Sequence, residues 1–354
     1  MPKIRYLRAT ASLTAATALL AACSSGAGTK SSSPATSTAT SSLSSPATTN
    51  PASQSPAIKI TIAGGDYLGG APVYVASAEG IWKADGIQAN VANFATGVLA
   101  LNALLGGQAN FAFLADLPIA TALLSKRIIL VDANLSKFSQ WKLIYSKSSG
   151  ISSFASLKGK KIGVPVGSNA EYVLNEMLVS AGLTLQDVSV INLAPSEIVP
   201  AVDKGDIAAG VTFPTYYTAA QSILGGNYED MVYSGYAEHT VLLAAPGTPL
   251  STQERVLRAL ISADNYIQAN PTAAATAIAG QSGGADSVSF VSSFLPQYAQ
   301  KVALAPGLVD LLVAEGNWLN ATQGVAGVLS QSTVLAATSK SALQSVDPAG
   351  VTLP

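Results

Sequence analysis

The sequence predicts an α/β protein of two lobes, each a sheet covered by helices. Three observations carry this. From Ile58 onward, short strand-like runs alternate with short helical runs, and glycine repeatedly stands just past the helices. That pattern belongs to a largely parallel sheet covered on both faces. The series lapses and starts again near Ser146, so it occurs twice. Roughly 300 residues follow a polar N-terminal tract, which is large for one core.

In the first series, residues 58–63 (IKITIA) alternate apolar and polar as a strand does. A glycine-rich turn follows, with Gly64, Gly65, Gly69 and Gly70. Residues 72–79 read as a helix, with Pro72 near its first turn and Gly80 past its end. Strands are expected at 87–92, 110–114 and 128–131, and helices at 98–105 and 118–124. The second series gives strands at 160–166, 188–193 and 207–212, and helices at 169–181, 196–204 and 214–223. Strands near 231–233 and 240–245 follow, and beyond Ser251 the chain reads as mostly helix. Residues 252–269 place Val256, Leu257, Leu260, Ile261 and Ile267 on one side, an amphipathic stripe ended by Asn270-Pro271. Pro306 opens a further helix reaching Trp318. No tandem repeat of fixed period is visible.

The N-terminus has another character. Lys3, Arg5 and Arg8 precede an apolar stretch, 9–20, and the run Leu20-Ala21-Ala22-Cys23 closes it. A basic region, an apolar region and small residues at the cut make a secretory signal. The stretch is shorter than the roughly 20 residues a membrane-spanning helix needs. Cys23 is the sole cysteine, so no disulfide forms within the chain. Without the three basic residues of the signal, 16 Lys and Arg face 20 Asp and Glu, a formal charge of −4. Nucleic acid, which calls for a basic stripe, is not an expected partner. In residues 24–57, Ser, Thr, Pro and Ala fill 28 of 34 positions without an aromatic residue. Such a tract cannot bury enough apolar area to fold; as a coil it spans on average about 30–35 Å.

Several segments resemble known families. Cys23 at the cut resembles the lipobox of bacterial lipoproteins, which implies lipidation of its thiol after removal of residues 1–22, with 23–57 as an anchored linker. The stretch 154–168 (FASLKGKKIGVPVGS) resembles the opening of the second lobe in solute-binding proteins of ABC importers, of the nitrate/sulfonate/taurine type. Other pieces keep the family's order: 69–72 (GGAP), 78–82 (AEGIW), 94–97 (FATG), 107–112 (GQANFA), 204–207 (KGDI) and 266–271 (YIQANP). The resemblance covers about 58–275. It implies a bilobed type II periplasmic-binding-protein fold, two αβ lobes joined by a two-segment hinge. Lobe one would comprise 58–145 plus 242–354, and lobe two 146–241. A small-molecule ligand would be trapped between them by hinge closure. The implied partners are an ABC permease and a separate ATPase subunit, with the protein itself a monomer.

In open α/β sheets, ligands lie outside the carboxyl ends of the strands. This rule picks the loops carrying Asp66, Tyr67, Gly70, Thr96, Gly97, Asp116, Gly167, Ser168, Asn169, Phe213 and Tyr216. Two readings stand for Gly167-Ser168-Asn169: amides at a helix start that favour an anionic group, or an ordinary N-cap by Ser168 or Asn169. Two also stand for Asp116, a contact to a positive or donor group on the ligand or a helix cap. Lys158, Lys160 and Lys161 lie at the other end of their strand, roughly 15–20 Å away, and read as a solvated edge. The loops otherwise lack the Lys or Arg that a bare anion normally meets. A zwitterion, an amine-bearing acid or a neutral heteroaromatic fits them better than nitrate or a simple sulfonate.

No catalytic residue, metal site or cofactor is expected. His239, the only histidine, has no G-x-S-x-G nucleophile elbow beside it, and no HExxH, Cys/His cluster or Walker A motif occurs. The expected function is capture of a sulfonate- or taurine-like, zwitterionic or heteroaromatic solute outside the cytoplasm. The alternatives are a thiamine-pyrimidine-precursor binding protein or synthase-like enzyme on the same fold, and a ligand-presenting sensor lipoprotein.

Overall fold

The computed structural model describes residues 57–65, 68–281 and 286–354. The chain divides into two units, Met1–Ser55 and Pro56–Pro354, and every described residue belongs to the second. The expectations for the signal, Cys23 and the linker therefore lie outside the described residues, apart from Ala57.

The chain first lays down β1 (Ile58–Gly65), β2 (Ile87–Phe94), β3 (Phe111–Ala115) and β4 (Leu130–Phe138). It crosses at 139–140 to a second sheet of β5 (Trp141–Ser146), β6 (Lys161–Val164), β7 (Ser189–Asn192), β8 (Ala209–Val211) and β9 (Tyr228–Tyr233). It returns through 234–237 to the first sheet with β10 (Glu238–Ala244) and β11 (Tyr298–Ala303). The sheet orders are β11-β4-β10-β3-β1-β2 and β7-β6-β8-β5-β9. Both crossings fall a few residues before the lobe borders expected at 145/146 and 241/242.

Helices cover the sheets: α1 (Ala71–Ala78), α2 (Ile81–Ala84), α3 (Gly97–Leu105) and α4 (Asp116–Leu124) in the first series. In the second come α5 (Asn169–Ser180), α6 (Pro195–Asp203) and α7 (Tyr217–Leu224). After the return follow α8 (Leu250–Ala269), α9 (Pro271–Gln281), α10 (Val288–Phe294), α11 (Pro306–Gln323), α12 (Gln331–Ala336) and α13 (Lys340–Val346). Val256, Leu257, Leu260 and Ile267 of α8 are buried as the stripe predicts, each contributing about 1.5–3 kcal/mol; Ile261 is half-buried. Among the described residues, no helix is long and apolar enough to cross a membrane.

One expectation is corrected. The sheets are mixed rather than largely parallel: β1 pairs parallel with β2 and β3, and β6 with β7 and β8. The strands that carry the crossings, β4, β5, β9 and β10, pair antiparallel. A strand that leaves one sheet for the other has no crossover helix to return it parallel. The segment beyond Ser251 is mostly helix as expected, with β11 adding one edge strand antiparallel to β4.

Candidate functional site

The register of the first sheet brings several chain ends to one edge. β1 and β2 run parallel with Gly65 opposite Phe94, and β3 ends at Ala115 beside them. β10 runs the other way with Thr240 opposite Ala115, so its first residue, Glu238, stands at the same edge. Glu238 also pairs with Phe138, which pairs with Tyr298 of β11. In the second sheet, the chain leaving β6 and β8 supplies 165–169 and 212–216.

These two edges enclose a cavity of about 300 Å³. Gly65, Phe94, Thr96, Gly97, Glu238 and Tyr298 line it from the first sheet's side. Ser168, Asn169, Phe213, Pro214 and Tyr216 line it from the second. Of the sequence-predicted residues, Thr96, Gly97, Ser168, Asn169, Phe213 and Tyr216 thus share one wall-to-wall space. Two helices begin there, α3 at Gly97 and α5 at Asn169. The first amides of a helix have no intrahelical partner and carry its partial positive charge. Thr96 caps α3, its hydroxyl accepting from the Leu99 amide at 3.3 Å. Ser168 stands at the start of α5, but its hydroxyl donates to the Pro165 carbonyl at 2.6 Å and makes no cap bond.

The other predicted residues lie elsewhere. Gly167, at φ +80°, forms the left-handed turn before α5 and lines a neighbouring recess, its amide donating to Glu171 at 2.7 Å. Gly70 packs on Phe113; a Cβ there would lie 2.2 Å from the ring. Asp66 and Tyr67 lie outside the described residues.

Asp116 is 0% exposed and does not line the cavity. Its Oδ1 accepts from the Leu117 amide at 3.0 Å, from the Asn169 side chain and from the Tyr236 hydroxyl at 2.5 Å. Its Oδ2 accepts from the His239 amide at 2.7 Å. Glu315 Oε1 lies 3.2 Å from the same Tyr236 hydroxyl, a second and longer acceptor for its one proton. The cluster joins α4 and α11 to α5 of the other lobe and to the returning crossing. Burial pushes the carboxyls of Asp116 and Glu315 up.

Sequence reasoning misses Glu238, the one charged residue among the described residues lining the cavity. It is 6% exposed. Desolvation, and secondarily the charge of Asp116, push its carboxyl well above the usual range. The available signal is an acid heading an apolar strand; local pattern starts that strand at 240, two residues past Glu238. His239 follows it on the strand and therefore faces the other side. It lines a separate cavity with Asn134, Lys137 and Lys301, and burial lowers its pKa to about 4. Lys158 is exposed and pairs with Asp187 at 3.7 Å, away from the cavity. Among the described residues, no cluster of His, Cys, Asp and Glu could hold a metal.

The chain matches the family model described as NMT1/THI5 like over residues 69–280, more than half its length. A Brucella abortus (strain 2308) protein named only as a binding protein is 35% identical over 162 residues, which is 45% of this chain and 49% of that one. The taurine-binding periplasmic protein of Escherichia coli (strain K12) is 31% identical over 158 residues, 44% of this chain and 48% of its own. The chain spans about half the length of the curated relatives it matches. The alkanesulfonate-binding protein SsuA of Xanthomonas axonopodis pv. citri, solved bound to MOPS, superposes with a TM-score of 0.68 at 18% identity, covering 80% of this chain and 99% of that one. The expected bilobed periplasmic-binding-protein fold is the fold observed.

Proposed function

This chain belongs to the NMT1/THI5-like family, and from that premise we propose that it is an exported solute-binding protein of a sulfonate/taurine-type ABC importer. It captures a small organic solute between its lobes and delivers it to a permease served by a separate ATPase. The observation that carries the reading is the cavity itself, lined at the strand ends of both sheets. A solute seated there touches both lobes, so its binding energy favours their approach. The names of the taurine-binding and alkanesulfonate-binding relatives point the same way. His239 faces a different cavity from the aromatic walls, which favours binding over acid–base chemistry.

Cys23 would carry the lipid and residues 24–57 the leash, raising the local concentration of the binding body near its permease. Mass spectrometry of the membrane fraction should find the diacylglycerol adduct at Cys23, and none in Cys23→Ala. Binding is tested by thermal shift of the full chain against taurine, alkanesulfonates, nitrate, pyrimidine precursors and aromatic acids. A ligand at a hundred times its Kd should stabilise by about 2.7 kcal/mol. Absence of a shift with every solute would count against the reading.

A further inference from the structure

We propose that Glu238 is the residue that selects the ligand, and that the ligand carries a protonated amine or an amidine-like pair of N–H donors. The inference rests on the solute-binding reading and names the chemical class that the same cavity takes.

Among the described residues, no hydrogen bond or ion pair reaches the Glu238 carboxylate, although the residue is 6% exposed and lines the cavity wall. A buried acid without a partner is costly, and native structures retain one where something else supplies the partner. No described lysine or arginine lines the cavity to do so. The ionisable groups around Glu238 are acids and tyrosines, Asp116, Glu315, Tyr236 and Tyr298, none of them a cation. A cationic donor from the solute is the group that satisfies this carboxyl and stabilises its ionised form.

The surroundings fit that class. Tyr298 stands at the same level of the sheet, two strands away across Phe138, and its ring lines the same wall. Phe94, Phe213 and Tyr216 complete an aromatic enclosure, and ring faces attract cations. The amides that open α3 and α5 offer neutral donors at Gly97 and Asn169, suited to a carboxylate or sulfonate on the same molecule. The cavity is thus built for an amine-bearing or zwitterionic organic solute and against a plain anion.

The test is calorimetry and thermal shift on the full chain with matched pairs that differ only in the amine: taurine and isethionate, 4-aminomethylbenzoate and 4-methylbenzoate, benzylamine and benzyl alcohol. The amine-bearing member should bind at least tenfold tighter than its partner in the pair that binds. Glu238→Gln should weaken it by about tenfold to a hundredfold, with a thermal midpoint no lower than that of the parent, because no partner bond of the acid is lost. Should the variant fail to fold, the pair comparison in the parent chain decides alone. Binding of methanesulfonate or of the amine-free partners with equal affinity would overturn this inference and leave the solute-binding reading intact. Binding of no solute would overturn that reading and this one with it.

Discussion

Asn169 shows how far a single letter carries. A polar residue at the start of a helix after a strand reads from sequence as a cap or an anion contact. The structure instead buries its side-chain amide against Asp116 and Tyr236 at 1% exposure. Those partners lie 53 and 67 residues away in the chain, so local pattern holds no trace of them. Asn169→Ala should leave the Asp116 cluster short of a donor and cost about 1–3 kcal/mol, measured by urea unfolding; an unchanged midpoint would remove Asn169 from the inter-lobe contact. Gly70 teaches the converse. It is legible as part of a glycine-rich turn, but its reason is the Phe113 ring, which would also lie 1.9 Å from a Cβ at Gly64. Gly70→Ala should cost about 1–3 kcal/mol by overpacking, read as a lower thermal midpoint without ligand.

At the scale of elements, what depends on nearby residues is legible in the sequence, and what depends on distant pairing is not. Helices with glycine at their ends, such as α1 before Gly80 and α3 before Gly106, follow from chemistry within a few residues. β4 continues to Phe138 through Asp132, Asn134 and Ser136, polar residues that end a strand by local rules but are buried here. β5 and β11 exist because partners in other parts of the chain complete them. At the first crossing, Phe138 stacks on Tyr298 at 4.6 Å and meets Trp141 edge-on at 6.0 Å, while Trp141 meets Phe213 at 6.5 Å. This aromatic chain links β4 and β11 of one lobe to β5 and the cavity wall of the other. Phe138→Ala should therefore cost about 3–5 kcal/mol and also weaken solute binding, by loosening Phe213. A stability loss with unchanged affinity would show that the crossing does not position the wall.

The whole molecule carries an unusual protonation balance. Asp116, Asp132, Glu238 and Glu315 are all buried, and desolvation raises each of their pKa values. In the unfolded chain such carboxyls ionise near pH ~4. Above that, the unfolded state gives up protons that the folded state keeps, so the stability these groups contribute is fully present below pH ~4 and is lost as pH rises through their folded values. His239 acts in the opposite sense. Its pKa falls from 6.5 to about 4, so its contribution is present above 6.5 and lost as pH falls toward 4. Asp187, whose pKa is lowered by its Thr184 hydrogen bonds, changes stability only below the ordinary carboxylate range. Glu171 and Asp264, whose carboxyls burial also raises, join the four buried acids, so six acids against one histidine set the net slope: the urea midpoint should be higher at about pH 5 than at about pH 8. Glu315→Gln, which fixes the protonated form of one member of the inter-lobe cluster, should flatten that slope. A midpoint that rises toward alkaline pH, or a slope untouched in Glu315→Gln, would show that these acids are ionised and paired in the folded protein rather than held neutral between its lobes.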